Sequence, residues 1–201
     1  MRKSPEQRVA DLLTAARKQF ASKGLAATTI LDITEAAGVG KGTFYLYFDS
    51  KEHILGALWQ EFVDGFVAHT VEVLASSAGM SWLAIAERMV IELVNYDIAN
   101  VDIHQLVFSS ANADALKLFR DANQQILVLL RGGLVQGVAD NEFDVANPEL
   151  TADLLYYAAE GLLNDAMLYG DGSLRRDEIL ESLLEMVRRT LPPPSAPTKK
   201  N

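Results

Sequence analysis

The chain has 201 residues, 49% of them hydrophobic, so it is long enough for one or two domains with apolar cores and is not disordered. It contains no cysteine, which excludes disulfide bonds, thiolate zinc sites and cysteine nucleophiles. It has no apolar run of about 18 residues and no signal peptide. We therefore expect a cytoplasmic protein that does not enter a membrane.

The charge is divided unevenly along the chain. Residues 1–51 contain eight Lys and Arg against five Asp and Glu, whereas the remainder contains ten against 22, for a net charge of −9. Because DNA attracts a basic surface and repels an acidic one, a duplex would be bound through the first quarter of the chain.

The first predicted helix begins at Pro5 and ends at Gly24. Ser4 is a favourable N-cap, Pro5 suits the first helical position, and Gln7 completes a capping box. The apolar stripe of this helix consists of Val9, Leu12, Leu13, Ala16 and Phe20.

A second, short helix follows directly. Thr29 and Asp32 repeat the capping pattern at its start. Its apolar face contains Ile30, Ile33, Thr34 and Ala37, which recur at helical spacing. Gly38 ends it, because glycine adopts a positive φ at little cost.

A third helix is predicted from Lys41 to Phe48. Phe44 and Phe48 lie four residues apart and face inward, with Tyr47 at the border. The residues left facing outward are Lys41, Gly42, Thr43, Tyr45 and Leu46. Two short helices joined by a glycine turn form a helix-turn-helix, whose second helix enters the major groove of DNA.

The stretch from Thr29 to Lys51 resembles the DNA-binding signature of the tetracycline-repressor (TetR) family. The residues that carry the resemblance are Ala37-Gly38-Val39, Lys41-Gly42-Thr43, Phe44-Tyr45-Leu46-Tyr47-Phe48 and Ser50-Lys51-Glu52. With the helix before it, the match covers residues 5–51. Two positions depart from the pattern: Gly40 replaces a usual serine N-cap, and Leu31 replaces a residue that is basic in many members.

The resemblance implies a homodimeric transcriptional regulator, a repressor released from a pseudo-palindromic operator by a small molecule. It also implies which residues contact DNA. Thr43, Tyr45, Tyr47 and Lys51 match positions that contact phosphates, and Lys41, Gly42 and Leu46 face base edges. Thr29 completes the predicted DNA-binding set.

The remainder of the chain also has helical periodicity. Helices are predicted at 50–76, 81–98, 102–110, 113–139, 148–169 and 174–190, with Asp49 and Glu52 capping the first of these. No alternating run predicts a strand, so we expect an all-α protein. Its parts would be a DNA-binding domain at 1–51, a regulatory and dimerisation domain at 52–191 and a disordered tail at 192–201. The apolar run at 126–130 predicts that its helix is fully buried.

The last two helices carry more apolar surface than one stripe requires. The resemblance implies that they form a four-helix bundle with the same pair of a second subunit. The predicted interface residues are Leu155, Ala158, Ala159, Leu162, Leu180, Leu183, Leu184 and Val187. The alternative is that both helices complete the core of a monomer.

A group of large side chains could line an apolar cavity for a hydrophobic or amphipathic effector. These are Trp82, Met89, Tyr96, His104, Phe108 and Phe119. Each of them also fits ordinary core packing. The acidity of this part of the chain favours neutral or cationic effectors over anions. Asp153, Glu160 and Asn164 share a helix face that could orient a ligand or face solvent.

The sequence does not support catalysis, a metal site or a cofactor. His69 near Glu72 and His104 near Asp102 have ligand-like spacing, but zinc requires three or four converging ligands. Two other readings remain open. One is a DNA-binding regulator controlled by a protein partner, and the other is an all-helical enzyme or carrier, for which no convergent polar triad is found.

Overall fold

The computed structural model describes residues 3–110, 113–169 and 175–194. These residues form α-helices and no strand, which confirms the predicted all-α fold. The helices are α1 (Pro5–Ala27), α2 (Ile30–Ala37), α3 (Lys41–Phe44), α4 (Lys51–Ala75), α5 (Trp82–Ala99), α6 (Val101–Ser110), α7 (Ala113–Ala139), α8 (Pro148–Tyr169) and α9 (Arg176–Thr190). From α4 onward, each bound lies within two residues of its predicted position.

The chain divides into two compact units. The first unit is Met1–Asp64 with Asn100–Asn123, and the second is Gly65–Ala99 with Gln124–Asn201. The domain boundary predicted at residue 51 therefore falls inside the first unit. Residues 195–201 of the predicted tail lie outside the described residues.

The capping boxes at Ser4 and Thr29 form as predicted. Helix α1 continues past Gly24, where φ is 76° and the helix kinks, to end at Ala27. The predicted pair at the start of α4 does not cap that helix. Instead, the Ser50 hydroxyl accepts a hydrogen bond from the His53 amide at 3.1 Å. The cap is thus one residue later than predicted, since a serine hydroxyl already occupies the position before the helix.

The core of the first unit is centred on Trp59. Its indole Nε1 donates to Asn123 Oδ1 at 2.8 Å, which satisfies a donor in a fully buried side chain. The rings packed around Trp59 are Phe62, His104, Phe108 and Phe119, with centroids 4.7 to 5.8 Å from it. Both α2 and α6 pack against α1 in this unit.

In the second unit, α5 and α8 pack against α9. Polar pairs tie the helices together: Arg131 Nε and Nη2 donate to the two Asp153 oxygens at 2.7 and 2.8 Å, joining α7 to α8. A further bond runs from Arg176 Nη2 to Asn95 Oδ1 at 2.7 Å, joining α9 to α5. The Arg131 guanidinium holds the pKa of the Asp153 carboxyl below its usual range.

Helix α7 is not fully buried, contrary to the prediction. Ile126 and Leu127 are buried, but Val128 is 63% exposed and Val135 is 42% exposed. An apolar run that covers all sides of a helix does not specify which side meets its neighbours, so the sequence pattern overstated the burial. Within the described residues, no helix combines the length and the apolar character needed to cross a membrane.

Candidate DNA-reading segment and ligand cavity

The helix-turn-helix is built from α2, a glycine turn and α3. Gly38 has φ of 67° and ψ of 33°, a left-handed conformation that glycine adopts without strain. Its amide and that of Val39 donate to carbonyls of the last turn of α2, at 3.1 Å to Glu35 and 2.9 Å to Thr34. These bonds close the end of α2 and set the direction in which α3 begins.

Helix α3 is shorter than predicted and continues as a turn. The amides of Tyr47 and Phe48 both donate to the Phe44 carbonyl at 2.9 Å. Phe44 and Phe48 are buried with ring centroids 5.7 Å apart, which confirms that they face inward. Because this aromatic pair anchors the segment, the opposite side of α3 and its turn is held toward solvent.

The predicted DNA-reading residues of this segment occupy that outer side. Lys41, Gly42, Tyr45 and Leu46 are exposed, whereas Thr43 and Tyr47 are half-buried. Leu46 is 74% exposed, although exposure of an apolar side chain to water is unfavourable. Leu31, on α2, is also exposed, at 55%.

Thr29 acts as a helix cap. Its hydroxyl accepts from the Asp32 amide at 3.1 Å and donates to Asp32 Oδ2 at 2.7 Å. Lys23 Nζ donates to Asp32 Oδ1 at 2.7 Å, and together with Thr29 it holds the pKa of the Asp32 carboxyl far below its usual range. Lys23 and Asp32 thus join α1 to α2.

Lys51 has partners within the chain that its sequence position did not indicate. Its Nζ donates to the carbonyl oxygen of Leu25 at 2.8 Å and to that of Ala26 at 3.3 Å. Carbonyls in the last turn of a helix have no partner within the helix, so a lysine there satisfies them. The ammonium group therefore closes the end of α1.

We accordingly expect Lys51→Met to lower the free energy of unfolding by about 1.5–3 kcal/mol, the usual contribution of hydrogen bonds to a charged group. The salt dependence of its affinity for random duplex DNA should stay close to that of the wild type. Lys41→Met is the matched control, because Lys41 is exposed. This variant should keep the wild-type melting temperature and reduce the salt dependence. A reduced salt slope in Lys51→Met would instead place the Lys51 ammonium group against the DNA.

A large apolar cavity lies within the second unit. Its volume is about 580 Å³, which is in the range of small-molecule sites. Helices α4, α5, α7, α8 and α9 all contribute to its wall. Apolar wall residues include Phe66, Leu74, Met89, Leu93, Ile126, Leu130 and Met186.

The charged residues of the wall are acidic. Asp140 Oδ2 accepts from Trp82 Nε1 at 2.7 Å, and Glu142 Oε2 accepts from the Trp82 amide at 2.7 Å. Trp82, which also lines the cavity, is thus fixed at both of its N–H groups. No Lys, Arg or His is among the described wall residues. An anionic group inside the cavity would therefore meet like charge.

The structure divides the predicted ligand-binding residues into separate places. Trp82 and Met89 line the cavity. Tyr96 lies in the same unit but contacts Phe66, with ring centroids 5.3 Å apart, and does not line the wall. His104, Phe108 and Phe119 pack around Trp59 in the first unit. Helical spacing identified them as large inward side chains but did not indicate which core each one joins.

Several predicted interface residues belong to the core of the chain itself. Leu155, Ala159, Leu183 and Val187 line the cavity, and Leu184 is only 7% exposed. These side chains leave little area for a partner to cover. Ala158 and Leu162 are exposed, and Leu180 is half-buried. Part of the excess apolar surface of the last two helices therefore forms the cavity wall, and the dimer interface stays a prediction.

Known proteins resemble the chain in sequence and in fold. A sequence model described as "Bacterial regulatory proteins, tetR family" matches residues 12–58. The HTH-type transcriptional repressor KstR2 of Mycobacterium tuberculosis (strain ATCC 25618 / H37Rv) is 30% identical over 151 residues, which cover 73% of this chain and 72% of that protein. KstR2 of Rhodococcus jostii is 32% identical over 137 residues, covering 66% of each.

The fold matches solved structures over nearly the whole chain. The transcriptional regulator FadR of Bacillus subtilis, crystallised in complex with stearoyl-CoA, superposes with a TM-score of 0.72 at 19% identity. The match covers 91% of this chain and 99% of FadR. At this identity the likeness concerns the fold.

Proposed function

Since the chain belongs to the tetR family of bacterial regulatory proteins, we propose that it is a homodimeric repressor released from its operator by a hydrophobic or amphipathic effector. The relatives named above are transcriptional repressors, which supports the regulatory role. The observation that carries the effector is the apolar cavity of about 580 Å³ in the second unit. Among the wall residues that the structure describes, no serine or threonine hydroxyl is hydrogen-bonded to a histidine or a carboxylate, which favours binding over catalysis.

DNA is read by the exposed side of α3 and the turn after it. These residues, 41–48, are the reading segment. In this proposal Thr43, Tyr45 and Tyr47 contact phosphates, while Lys41 and Leu46 face base edges. Thr29 and Lys51 hold α2 and α1 in position through the caps described above. One such short segment reads few base pairs, so the protein needs two of them on successive major grooves, about 34–36 Å apart.

The second reading segment comes from a second copy of the chain. Repressors of this family typically dimerise, and α8 offers a suitable face. Its exposed residues Leu150, Leu154 and Tyr157 recur at i, i+4 and i+7 and so share one side of the helix. Val128 and Val135 lie seven residues apart on one side of α7 and are also exposed. The Arg131–Asp153 ion pair joins α7 to α8. This α7–α8 face replaces the predicted interface residues that are buried in the chain's own core.

The effector is an uncharged or cationic molecule with a large apolar part. The apolar wall favours such a ligand, and Asp140 and Glu142 disfavour an anion. FadR of Bacillus subtilis binds stearoyl-CoA, whose acyl chain is apolar and whose nucleotide is anionic. An acyl chain suits this wall, but none of the wall residues that the structure describes is basic and could pair with a buried phosphate.

Release of DNA follows from a shift in population. Helix α4 begins at Lys51, directly after the reading segment, and carries the wall residues Phe66, Thr70 and Leu74. A ligand that binds better when α4 is displaced favours that state by its difference in affinity. Displacement of α4 in each subunit changes the spacing of the two reading segments, and the operator is released.

Selection from a library of random duplexes with the purified protein tests DNA recognition. We expect it to return one sequence made of two inverted half-sites, bound by two chains. The selected operator then serves to screen uncharged apolar compounds for release. If no sequence is enriched, the proposal that the protein is a repressor is wrong. If no apolar compound releases the selected operator, the proposal of an apolar effector is wrong.

Trp82 should report occupation of the cavity. The chain contains two tryptophans, and Trp82 lies on the cavity wall whereas Trp59 lies in the core of the first unit. We expect a compound that releases the operator to change the tryptophan fluorescence of the wild type and to leave that of Trp82→Phe nearly unchanged. A full response in Trp82→Phe would place the bound compound away from this wall.

A further inference from the structure

One lysine of the reading segment lies against an aromatic ring. The Tyr45 amide donates to the Lys41 carbonyl at 3.5 Å, so the two residues are one helical turn apart and their side chains share a side of α3. Lys41 Nζ lies over the Tyr45 ring, 6.0 Å from its centroid. A phenol ring attracts a cation at this distance, because its face carries partial negative charge. The contact therefore restricts where the Lys41 ammonium group lies.

The Tyr45 ring is itself held in place. It packs edge-on against Phe44, with ring centroids 5.5 Å apart and ring planes at 86°. Phe44 is fully buried, whereas Tyr45 is 50% exposed. The core thus supports the ring, and half of the Tyr45 side chain remains open to solvent. A lysine side chain is flexible and loses much conformational freedom when its end is fixed, so a supporting ring lowers that cost at binding.

The contact differs from those of three other lysines in the first unit. Lys3, Lys23 and Lys51 donate to oxygen atoms at 2.6, 2.7 and 2.8 Å. An oxygen acceptor takes up an N–H donor, whereas a ring contact leaves the N–H groups of the ammonium available to another acceptor. Lys41 is therefore oriented by the protein and still able to donate to DNA.

The base that suits an ammonium group in the major groove is guanine, whose O6 and N7 atoms are neighbouring acceptors. We infer that Tyr45 is a positioning residue, whose ring holds the Lys41 ammonium group so that it donates to O6 and N7 of a guanine in each half-site. This inference rests on the proposed recognition of DNA and names the base that Lys41 reads. The Tyr45 hydroxyl remains available for the phosphate contact proposed above.

The test replaces the guanines of the selected operator one at a time by 7-deazaguanine, which pairs with cytosine but lacks the N7 acceptor. The response is the factor by which one replacement lowers the affinity. Lys41→Met removes the ammonium group, Tyr45→Phe removes the hydroxyl and keeps the ring, and Tyr45→Leu removes the ring. We expect Tyr45→Leu to fold, because Tyr45 is half exposed.

At one guanine of each half-site, the wild type should respond about threefold to tenfold, the share of one hydrogen bond in a bidentate contact. Lys41→Met should not respond there. Tyr45→Phe should respond as the wild type does, although it binds every duplex more weakly. Tyr45→Leu should keep at most about half of the wild-type response. A purely structural role of Tyr45 would instead lower the melting temperature of Tyr45→Leu and weaken binding to every duplex alike, with the response unchanged.

The inference is wrong if the half-site contains no guanine, or if Lys41→Met responds as the wild type does at every guanine. A wild-type response in Tyr45→Leu would show that the ring does not position Lys41. Loss of the response in Tyr45→Phe would assign the effect to the hydroxyl. In each of these cases a selected operator exists, so the proposed repressor stands and only the Tyr45–Lys41 pair fails. If the selection enriches no sequence, both fail.

Discussion

Leu154→Glu should convert the proposed dimer into a monomer and abolish operator binding. Leu154 is 63% exposed in the single chain, at the middle of the apolar stripe on α8. In a dimer closed through the α7–α8 face it would be covered by the second copy. A carboxylate there would be buried without a partner in both subunits, at a cost of about 3–5 kcal/mol. Sedimentation velocity at micromolar concentration measures the change directly.

Leu184→Glu is the informative contrast. Leu184 is 7% exposed and belongs to the core of the second unit. The charge would therefore disrupt the fold itself, and the helical circular-dichroism signal should be lost at a lower temperature. Leu154→Glu should keep the helical signal of a folded chain. If Leu154→Glu remains dimeric, the second copy docks elsewhere and the α7–α8 face is not the interface.

Local signals in the sequence were enough to predict where the helices lie, although α1 is longer and α3 shorter than predicted. Ser4 with Gln7 and Thr29 with Asp32 form both reciprocal bonds of a capping box. At α8, the Asn147 side chain accepts from the Leu150 amide at 3.1 Å, as expected of an N-cap before a proline. These contacts span three residues, so the sequence contains both partners within a few positions.

Contacts between distant residues could not be predicted in the same way. Lys51 reaches the carbonyl of Leu25, 26 positions earlier, and no periodic pattern encodes the reach of a flexible side chain. The two apolar sides of α8 are a second case. Ala159 lies on the cavity wall and Leu154 is exposed, although both are apolar and occur in one continuous pattern. Which side meets the core depends on the neighbouring helices, which hydrophobic spacing does not specify.

The cavity also depends on contacts between distant residues, which the sequence pattern does not predict. Its wall combines residues of 65–99 with residues of 124–191, and the sequence gives no register between those segments. The prediction therefore grouped Trp82 with Phe108 because both are large and apolar. In the structure Phe108 belongs to the Trp59 core. Residue type identified the large apolar side chains that could line the cavity. Only the packing of the helices distinguished those on the cavity wall from those in the core of the first unit.

Leu46→Ala should weaken binding to the selected operator far more than binding to random DNA. The expected loss in the ratio of the two affinities is about 1 kcal/mol or more at each half-site, so about thirtyfold or more for a dimer. Leu46 is 74% exposed on the outer side of the reading segment. An apolar side chain in that position can contact a thymine methyl group in the major groove, which carries sequence information but no counterion. The salt slope should therefore stay that of the wild type.

Phe44→Ala is the contrast to Leu46→Ala, because it should lower the stability of the fold, whereas Leu46→Ala should impair only the recognition of bases. Phe44 is fully buried, and its loss leaves a cavity that should lower the free energy of unfolding by about 3–5 kcal/mol. Leu46→Ala should leave the melting temperature within a degree or two of the wild type, because an exposed side chain adds little to the core. Binding to operator and random duplexes at several salt concentrations, together with thermal melts, decides the matter. Equal weakening of Leu46→Ala on both duplexes would remove Leu46 from base reading, and a melting temperature lowered as in Phe44→Ala would place it in the core.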